Sequence, residues 1–213
     1  MRTAAVAGGR APDSVTLLAV SKTKPASDIL AAYRAGQRAF GENYLQDALP
    51  KIRALRGNDI EWHFIGRLQS NKTAEISRHF AWVHSLDSLK HAQRLSAQRP
   101  ADMPPLQVCV QVNLSGEFSK GGVERADLAE LAAAVARLPG LRLRGLMTMP
   151  DPGSDPAAQR AVFAALRKLF EELRAAGLDL DTLSMGMSAD MEAAIAEGST
   201  MVRVGTDIFG ART

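Results

Sequence analysis

The chain has 213 residues, 46% apolar and 23% charged, a globular balance and enough length for one large domain or two small ones. Lysine and arginine number 26 against 23 acidic residues, a net charge of +3 with no block of like charges, which argues against a nucleic-acid partner. The single cysteine, Cys109, excludes an internal disulfide, no apolar run reaches the roughly 18 residues of a membrane span, and the start MRTAAVAGGR lacks the apolar core of a signal peptide, so a soluble cytoplasmic protein is expected.

Short β-branched or apolar runs alternate with longer alanine- and leucine-rich stretches of helical spacing. VTLLAVS (15–21) predicts a strand and ASDILAAYRAG (26–36) a helix, with Ser27 as N-cap and Gly36 as stop. QRAFGEN (37–43) predicts a short strand, and YLQDALPKIRAL (44–55) a helix that Pro50 bends or shortens. IEWHFIG (60–66) reads as a strand, SNKTAEISRHF (70–80) as a helix starting near Ser70, AWVHSLD (81–87) as a strand and SLKHAQRLSAQR (88–99) as a helix. PLQVCVQVNL (105–114) is the longest strand candidate, with Cys109 a buried, inert thiol, and RADLAELAAAVARL (125–138) is an amphipathic helix ended by Pro139 and Gly140. LRLRGLMTM (141–149) is a strand, DPAAQRAVFAALRKLFEELRAAG (155–177) the longest helix and DTLSMGM (181–187) a strand. ADMEAAIAEG (189–198) is a short helix with Ser188 as N-cap, and TMVRVGTDIFG (200–210) is the last strand and its exit.

Eight strands, the first seven each followed by a helix with no linker between them, predict a single-domain (β/α)8 barrel over residues 1–213. A doubly wound open sheet is the alternative, because strand pairing is not visible in a sequence. A barrel would gather functional residues at the carboxyl ends of its strands. Those ends read SKTK, GEN, HFIGRLQSNK, NLSGEFSKGG, SMGMS and RVGT. Lysines, small hydroxyl residues, glycines and an arginine on one mouth suit a small anionic ligand with a reactive carbonyl.

Strand parity places Thr16, Leu18, Val20 and Lys22 on one face, so Lys22 extends the inward face at the rim. Desolvation there would lower its pKa toward that of a nucleophilic amine. Lys24 adjoins Pro25 and is expected in the loop; the competing reading makes both lysines solvated loop residues. Gly205 and Thr206 follow the last strand, where backbone N–H groups can form a nest for an anion. Ser188 precedes a helix start that offers further N–H groups. Both turns follow strands 7 and 8, where barrels frequently bind phosphate. The histidines form no metal-binding pattern, and His63 reads as a core or rim residue. Lys120 reads as a loop lysine or a mouth residue, and Met147, Met149, Met185 and Met187 as core filling.

The segments AVSKTKP, FGENY, WHFIG, LQSNK, GLMTMP and LSMGMSADMEAAIAEGSTMVRVGTDIFG resemble the pyridoxal phosphate homeostasis protein family over nearly the whole chain. Members of that family resemble the amino-terminal barrel of alanine racemase, the type III fold of pyridoxal 5′-phosphate (PLP) proteins. The resemblance implies a single barrel binding PLP as a Schiff base on Lys22. It also implies Asn43 beside the cofactor, Ser188, Gly205 and Thr206 on its phosphate, and Arg203 facing the pyridine nitrogen. An arginine donates to that nitrogen without giving up a proton, so the ring is a weaker electron sink; alanine racemase nevertheless works with such an arginine. The implied function is PLP (vitamin B6) homeostasis without robust catalysis, with apo PLP-dependent enzymes as recipients and a monomeric state. The alternative is a weak amino-acid racemase, which needs an acid/base on each face of the α-carbon. The only tyrosines are Tyr33 and Tyr44, and Tyr44 alone lies near a strand end. Residues 1–14 are shorter than the family's usual first helix, and the expectation is that they pack incompletely or reflect a late start codon.

Overall fold

The computed structural model describes residues 1–114, 121–151, 153 and 155–210. Eight parallel strands close in chain order into one barrel. They are β1 (Thr16–Val20), β2 (Ala39–Glu42), β3 (Glu61–Phe64), β4 (Trp82–Leu86), β5 (Leu106–Gln111), β6 (Leu141–Met147), β7 (Thr182–Met187) and β8 (Met201–Val204). The ring is completed by β1 pairing with β8, Leu18 opposite Arg203 and Ala19 opposite Val204. Closure excludes the open sheet.

The helices are α1 (Arg2–Ala7), α2 (Ala26–Arg34), α3 (Leu45–Ala54), α4 (Thr73–His79), α5 (Leu89–Gln98), α6 (Leu128–Val135), α7 (Pro156–Ala175), α8 (Met191–Ala196) and α9 (Thr206–Phe209). The period-two pattern of the strands separates two packed regions. Ala19, Phe40, Phe64, Val83, Val108, Leu146 and Leu183 point outward under the helices. Leu18, Ala39, Trp82, Cys109, Met147 and Met201 point inward and fill the barrel. Each such large side chain contributes about 1.5–3 kcal/mol by leaving water. Burial pushes the Cys109 thiol up to about 12, so it stays protonated and inert.

Several expected boundaries shift for local reasons. Pro25, not Ser27, is the N-cap of α2, because its fixed φ of −70° turns the chain straight into the helix. Lys72, not Ser70, precedes α4. Asp190, not Ser188, precedes α8; its carboxylate accepts from the Met187 N–H and holds the turn together. Pro50 sits inside α3, which runs on to Ala54. The exit of β8 is the short helix α9 rather than extended chain. Residues before β1 pack more closely than expected: Ala5 of α1 is fully buried with Val15, Ile195 and Val202, and Arg10 donates to the carbonyls of Ile195 and Ser199.

Candidate functional site

The carboxyl end of β1 is clamped before it turns. Ser21 is fully buried, and its hydroxyl donates to the Glu42 carboxylate at 2.5 Å. Lys51 of α3 reaches the same carboxylate at 2.9 Å and also donates to the Ser21 carbonyl. Burial pushes Glu42 above the usual carboxylate range, while the Ser21 hydroxyl and the Lys51 ammonium pull it back. Past this clamp the chain makes a tight turn in which the Lys24 N–H returns to the Ser21 carbonyl. Thr23 takes a φ of +65°, the only non-glycine residue in the left-handed region among the described residues. The strand stops at Val20, so the turn rather than strand parity delivers Lys22. It delivers Lys24 as well: both half-buried lysines line the same cavity, one on each side of Thr23.

Asn43, directly after β2, also lines the cavity, and its side-chain oxygen is buried with no hydrogen-bond partner. Gly66 after β3 packs so closely on Asn43 that any Cβ there would overlap the Asn43 carbonyl oxygen. The glycine of the HFIG segment therefore lets the β3 exit pass and sets Ile65 and Arg67 on the cavity wall.

The β7–β8 side closes the ring. Gly186 adopts a φ of +97° and bends the end of β7, after which Met187, Ser188 and Ala189 form a wall of the cavity. Gly205 stands against β1, and a Cβ there would lie 3.2 Å from the Val20 carbonyl oxygen. Arg203 points inward from β8 and is almost wholly buried. Its Nη1 donates to the Ser184 carbonyl at 2.6 Å and to Ser184 Oγ at 2.9 Å, and its Nη2 donates to the Thr148 carbonyl at 2.9 Å. Burial pushes its pKa down to about 10, with Asp190 opposing the shift, so it remains cationic at neutral pH. The Nε–H and one Nη2–H make no hydrogen bond to the described residues.

The six residues singled out from the sequence, Lys22, Asn43, Ser188, Arg203, Gly205 and Thr206, thus line one cavity of about 420 Å³ at the carboxyl ends of the strands. That volume falls in the range of small-molecule sites. The described lining holds Lys22, Lys24, Arg67 and Arg203 and no aspartate, glutamate, histidine or tyrosine. Such a wall favours an anion. Arg67 was not singled out beforehand; its place three residues past a barrel strand is the signal that could have found it. Met187 lines the cavity rather than filling the core, while Met147 and Met149 line it and also pack in or against the barrel interior. His63 is fully buried inside the barrel, and Lys120 lies outside the described residues. No group of three His, Cys, Asp or Glu among the described residues is placed to hold a metal. A larger depression of about 710 Å³ lies outside the barrel between α2 and α9, lined mainly by apolar residues and glycine.

Residues 4–213 match the family described as alanine racemase, N-terminal domain. The chain is 61% identical to the pyridoxal phosphate homeostasis protein of Pseudomonas aeruginosa, over 100% of this chain and 91% of that one. It is 57% identical to the protein of the same name in Escherichia coli, over 98% and 91%. Among solved structures it is similar to PipY of Synechococcus elongatus with PLP bound, with a TM-score of 0.88 and 41% identity over 98% of each chain.

Proposed function

The chain belongs to the pyridoxal phosphate homeostasis protein family, built on the alanine racemase N-terminal barrel, and from that premise we propose that its mouth binds PLP to hold and release it. The observation that carries this reading is the convergence of both lysines, Arg203 and the partnerless Asn43 oxygen on one cationic cavity. The residues present fit the group. The unpaired Asn43 amide oxygen awaits a polar ring substituent, and Ser188, Gly205 and Thr206 line the cavity at strand-end turns whose backbone suits a phosphate. Lys22 would supply the amine that holds the aldehyde, and Arg203 would face the pyridine nitrogen with a remaining N–H. Lys24 adds positive charge across the turn. When bound, the group supplies an aldehyde able to capture amines and an electron sink for carbanions.

The cavity holds this aldehyde without the means to exploit it. Racemisation needs an acid/base on each face of the α-carbon. The described lining offers only lysines from one turn, beside arginines that keep their protons. Tyr44, the tyrosine next to Asn43, is 59% exposed and outside the lining. On this reading the protein is a PLP carrier rather than a racemase, and we propose that it acts as a cytoplasmic monomer that limits free PLP and passes it to apo-enzymes. No helix among the described residues is long and apolar enough to cross a membrane.

The test is the absorbance spectrum of the purified protein with PLP, followed by borohydride reduction and peptide mass spectrometry. A Schiff-base band fixed onto the peptide containing Lys22 is expected. An adduct on Lys24 would overturn the lysine assignment. Rapid racemisation of an amino acid by the loaded protein would overturn the carrier reading.

A further inference from the structure

A polar chain runs through the barrel interior and plays no part in the cavity chemistry described above. It starts at the half-exposed Glu61, where β3 begins. The Glu61 carboxylate is 2.8 Å from His63 Nε2, and His63 Nδ1 is 2.9 Å from His84 Nε2 on β4. His84 Nδ1 is 2.8 Å from Ser184 Oγ on β7, which accepts from Arg203 Nη1 at 2.9 Å. Both histidines and Ser184 are fully buried, and His63 stacks on Trp82 with ring centroids 5.3 Å apart. The chain thus joins the amino-terminal end of the barrel to the cavity wall.

Its proton positions follow from the chemistry of its two ends. Arg203 can only donate, so Ser184 Oγ accepts from it and keeps its own proton to give. The His63 hydrogen bond holds Glu61 below the usual carboxylate range, so Glu61 is ionised and can only accept. His63 Nε2 therefore carries a proton. Burial pushes both histidines down, His84 well below its ordinary value, so each imidazole is neutral and holds one proton. With Nε2 protonated, His63 Nδ1 is bare and accepts from His84 Nε2–H. His84 Nδ1 is then bare and accepts from the Ser184 hydroxyl. Every proton points from Arg203 toward Glu61, and reversing any single link would leave a contact with two protons or none. The surrounding charges fit this polarity: Arg144 lies near Glu61 and is paired with Asp181, Asp190 acts on Arg203, and Cys109 is a neutral thiol.

We propose that Glu61, His63, His84 and Ser184 form a one-directional hydrogen-bond relay that positions Arg203 against the cofactor cavity. The relay commits the Ser184 proton to His84, so a Ser184 lone pair always faces the guanidinium. Together with the Ser184 and Thr148 carbonyls this fixes the guanidinium plane and leaves its remaining N–H groups for a ligand. All four are positioning residues, since none lines the cavity. Their effect on cofactor release rests on the PLP reading; the direction of the relay does not.

Long-range nitrogen–proton NMR of the apo-protein at pH 7 reads the tautomers directly, with no cofactor present. Both His63 and His84 are expected in the Nε2–H form; an Nδ1–H form or an imidazolium at either would overturn the proposal. Glu61→Lys presents His63 with a donor and should invert both rings to Nδ1–H. Ser184 Oγ must then accept from His84 as well as Arg203 while its own proton loses its acceptor, and PLP release should quicken about fivefold, the worth of roughly one hydrogen bond. Glu61→Gln keeps an acceptor and should restore both the tautomers and the release rate. Failure of the rings to invert, or inversion with unchanged release, would overturn the relay. Should Glu61→Lys not fold, Ser184→Ala removes the hydroxyl, and release no faster than in the unmutated protein would overturn it equally. A protein that binds no PLP would sink the functional reading, while the apo tautomers still decide the direction of the relay.

Discussion

The two ends of the barrel are built on opposite plans. At the amino-terminal end Arg144 forks onto Asp181 with contacts of 2.6–3.1 Å, donates to Gln107 at 2.9 Å and lies 4.8 Å above the Trp82 ring. Arg142 lies 3.6 Å from Asp179 beside it. There, cation meets carboxylate and amide meets guanidinium. The described lining of the carboxyl-terminal mouth has four cationic side chains and no carboxylate, a buried amide oxygen without a partner and a threonine in a left-handed conformation. One end pairs its cations with carboxylates of its own; the other gathers cations around a cavity with no carboxylate in its described lining. In barrels the first arrangement serves stability and the second serves function. Substitutions at the mouth should therefore cost binding more than folding, and those at the opposite end the reverse.

The sharpest way to break this contrast is Lys22→Ala. Loss of the Schiff-base band at neutral pH should be complete, because Lys22 is the amine assigned to the C=N bond. Stability should move by no more than about 0.5 kcal/mol, since the residue is only half-buried. Lys24→Ala should keep the band. A Lys22→Ala protein with an intact band would mean that the turn does not distinguish its two lysines. Gly205→Val is the next largest effect. Its backbone, at φ −120° and ψ −64°, is not left-handed and so does not demand glycine, yet the new Cβ would lie 3.2 Å from the Val20 carbonyl and press on the β1 edge of the mouth. PLP affinity should fall at least about tenfold, some 1.4 kcal/mol, with the fold retained. Equal affinity by equilibrium dialysis would remove Gly205 from the site.

Between the two ends lies the buried histidine pair, which sharpens the comparison through pH. His63 and His84 both sit below their ordinary value of 6.5 because burial disfavours the charged form. As pH falls below about 6.5 the unfolded chain binds protons that the folded barrel refuses, so stability present at neutral pH is lost on acidification. The loss approaches about 1.4 kcal/mol per pH unit for each histidine until its folded pKa is reached. Urea unfolding at pH 7, 6 and 5 measures it. A flat profile would mean that the pair already carries a charge inside the barrel.

The architecture was legible in the sequence because alternation of period two and period 3.6 survives closure: each strand and its following helix could be placed from apolar spacing. Convergence of the six site residues was legible for the same reason, since a barrel sends every strand's carboxyl end to one mouth. Capping was less legible. Ser27 and Ser188 are good N-cap residues by type, but Pro25 and Asp190 stand where the chain actually turns, and two or three residues decide which side chain meets the helix. The relay could not be read at all. Glu61 and His63 are two apart on one strand, but their links to His84, Ser184 and Arg203 depend on which strands face each other across the interior. Strand parity was extended past Val20 to reach Lys22, where a turn with a left-handed Thr23 takes over; Lys24 lies in the loop, as its place before Pro25 implied, yet lines the cavity too.

The smallest expected effect is at the satisfied end. Burial pushes the Asp181 carboxyl up, and the Arg144 and Thr182 hydrogen bonds more than reverse this, leaving it below its ordinary value. Stability from such a group is present above its unfolded pKa and is lost as pH falls through the folded one, so it belongs to a more acidic window than the histidine loss. The side chain of Asp181 is 51% exposed, and solvent screening reduces the pair to about 0.5–1 kcal/mol. Asp181→Asn is the right probe, because it leaves Arg144 in place beside Glu61 and Trp82. Urea unfolding should show that modest loss at pH 7, with PLP affinity unchanged within about twofold, or some 0.4 kcal/mol. If Asp181→Asn weakened PLP binding as much as Gly205→Val does, the two ends would be coupled rather than divided in their tasks. The relay from Glu61 to Arg203 is a hydrogen-bonded path across the barrel interior that could carry such coupling.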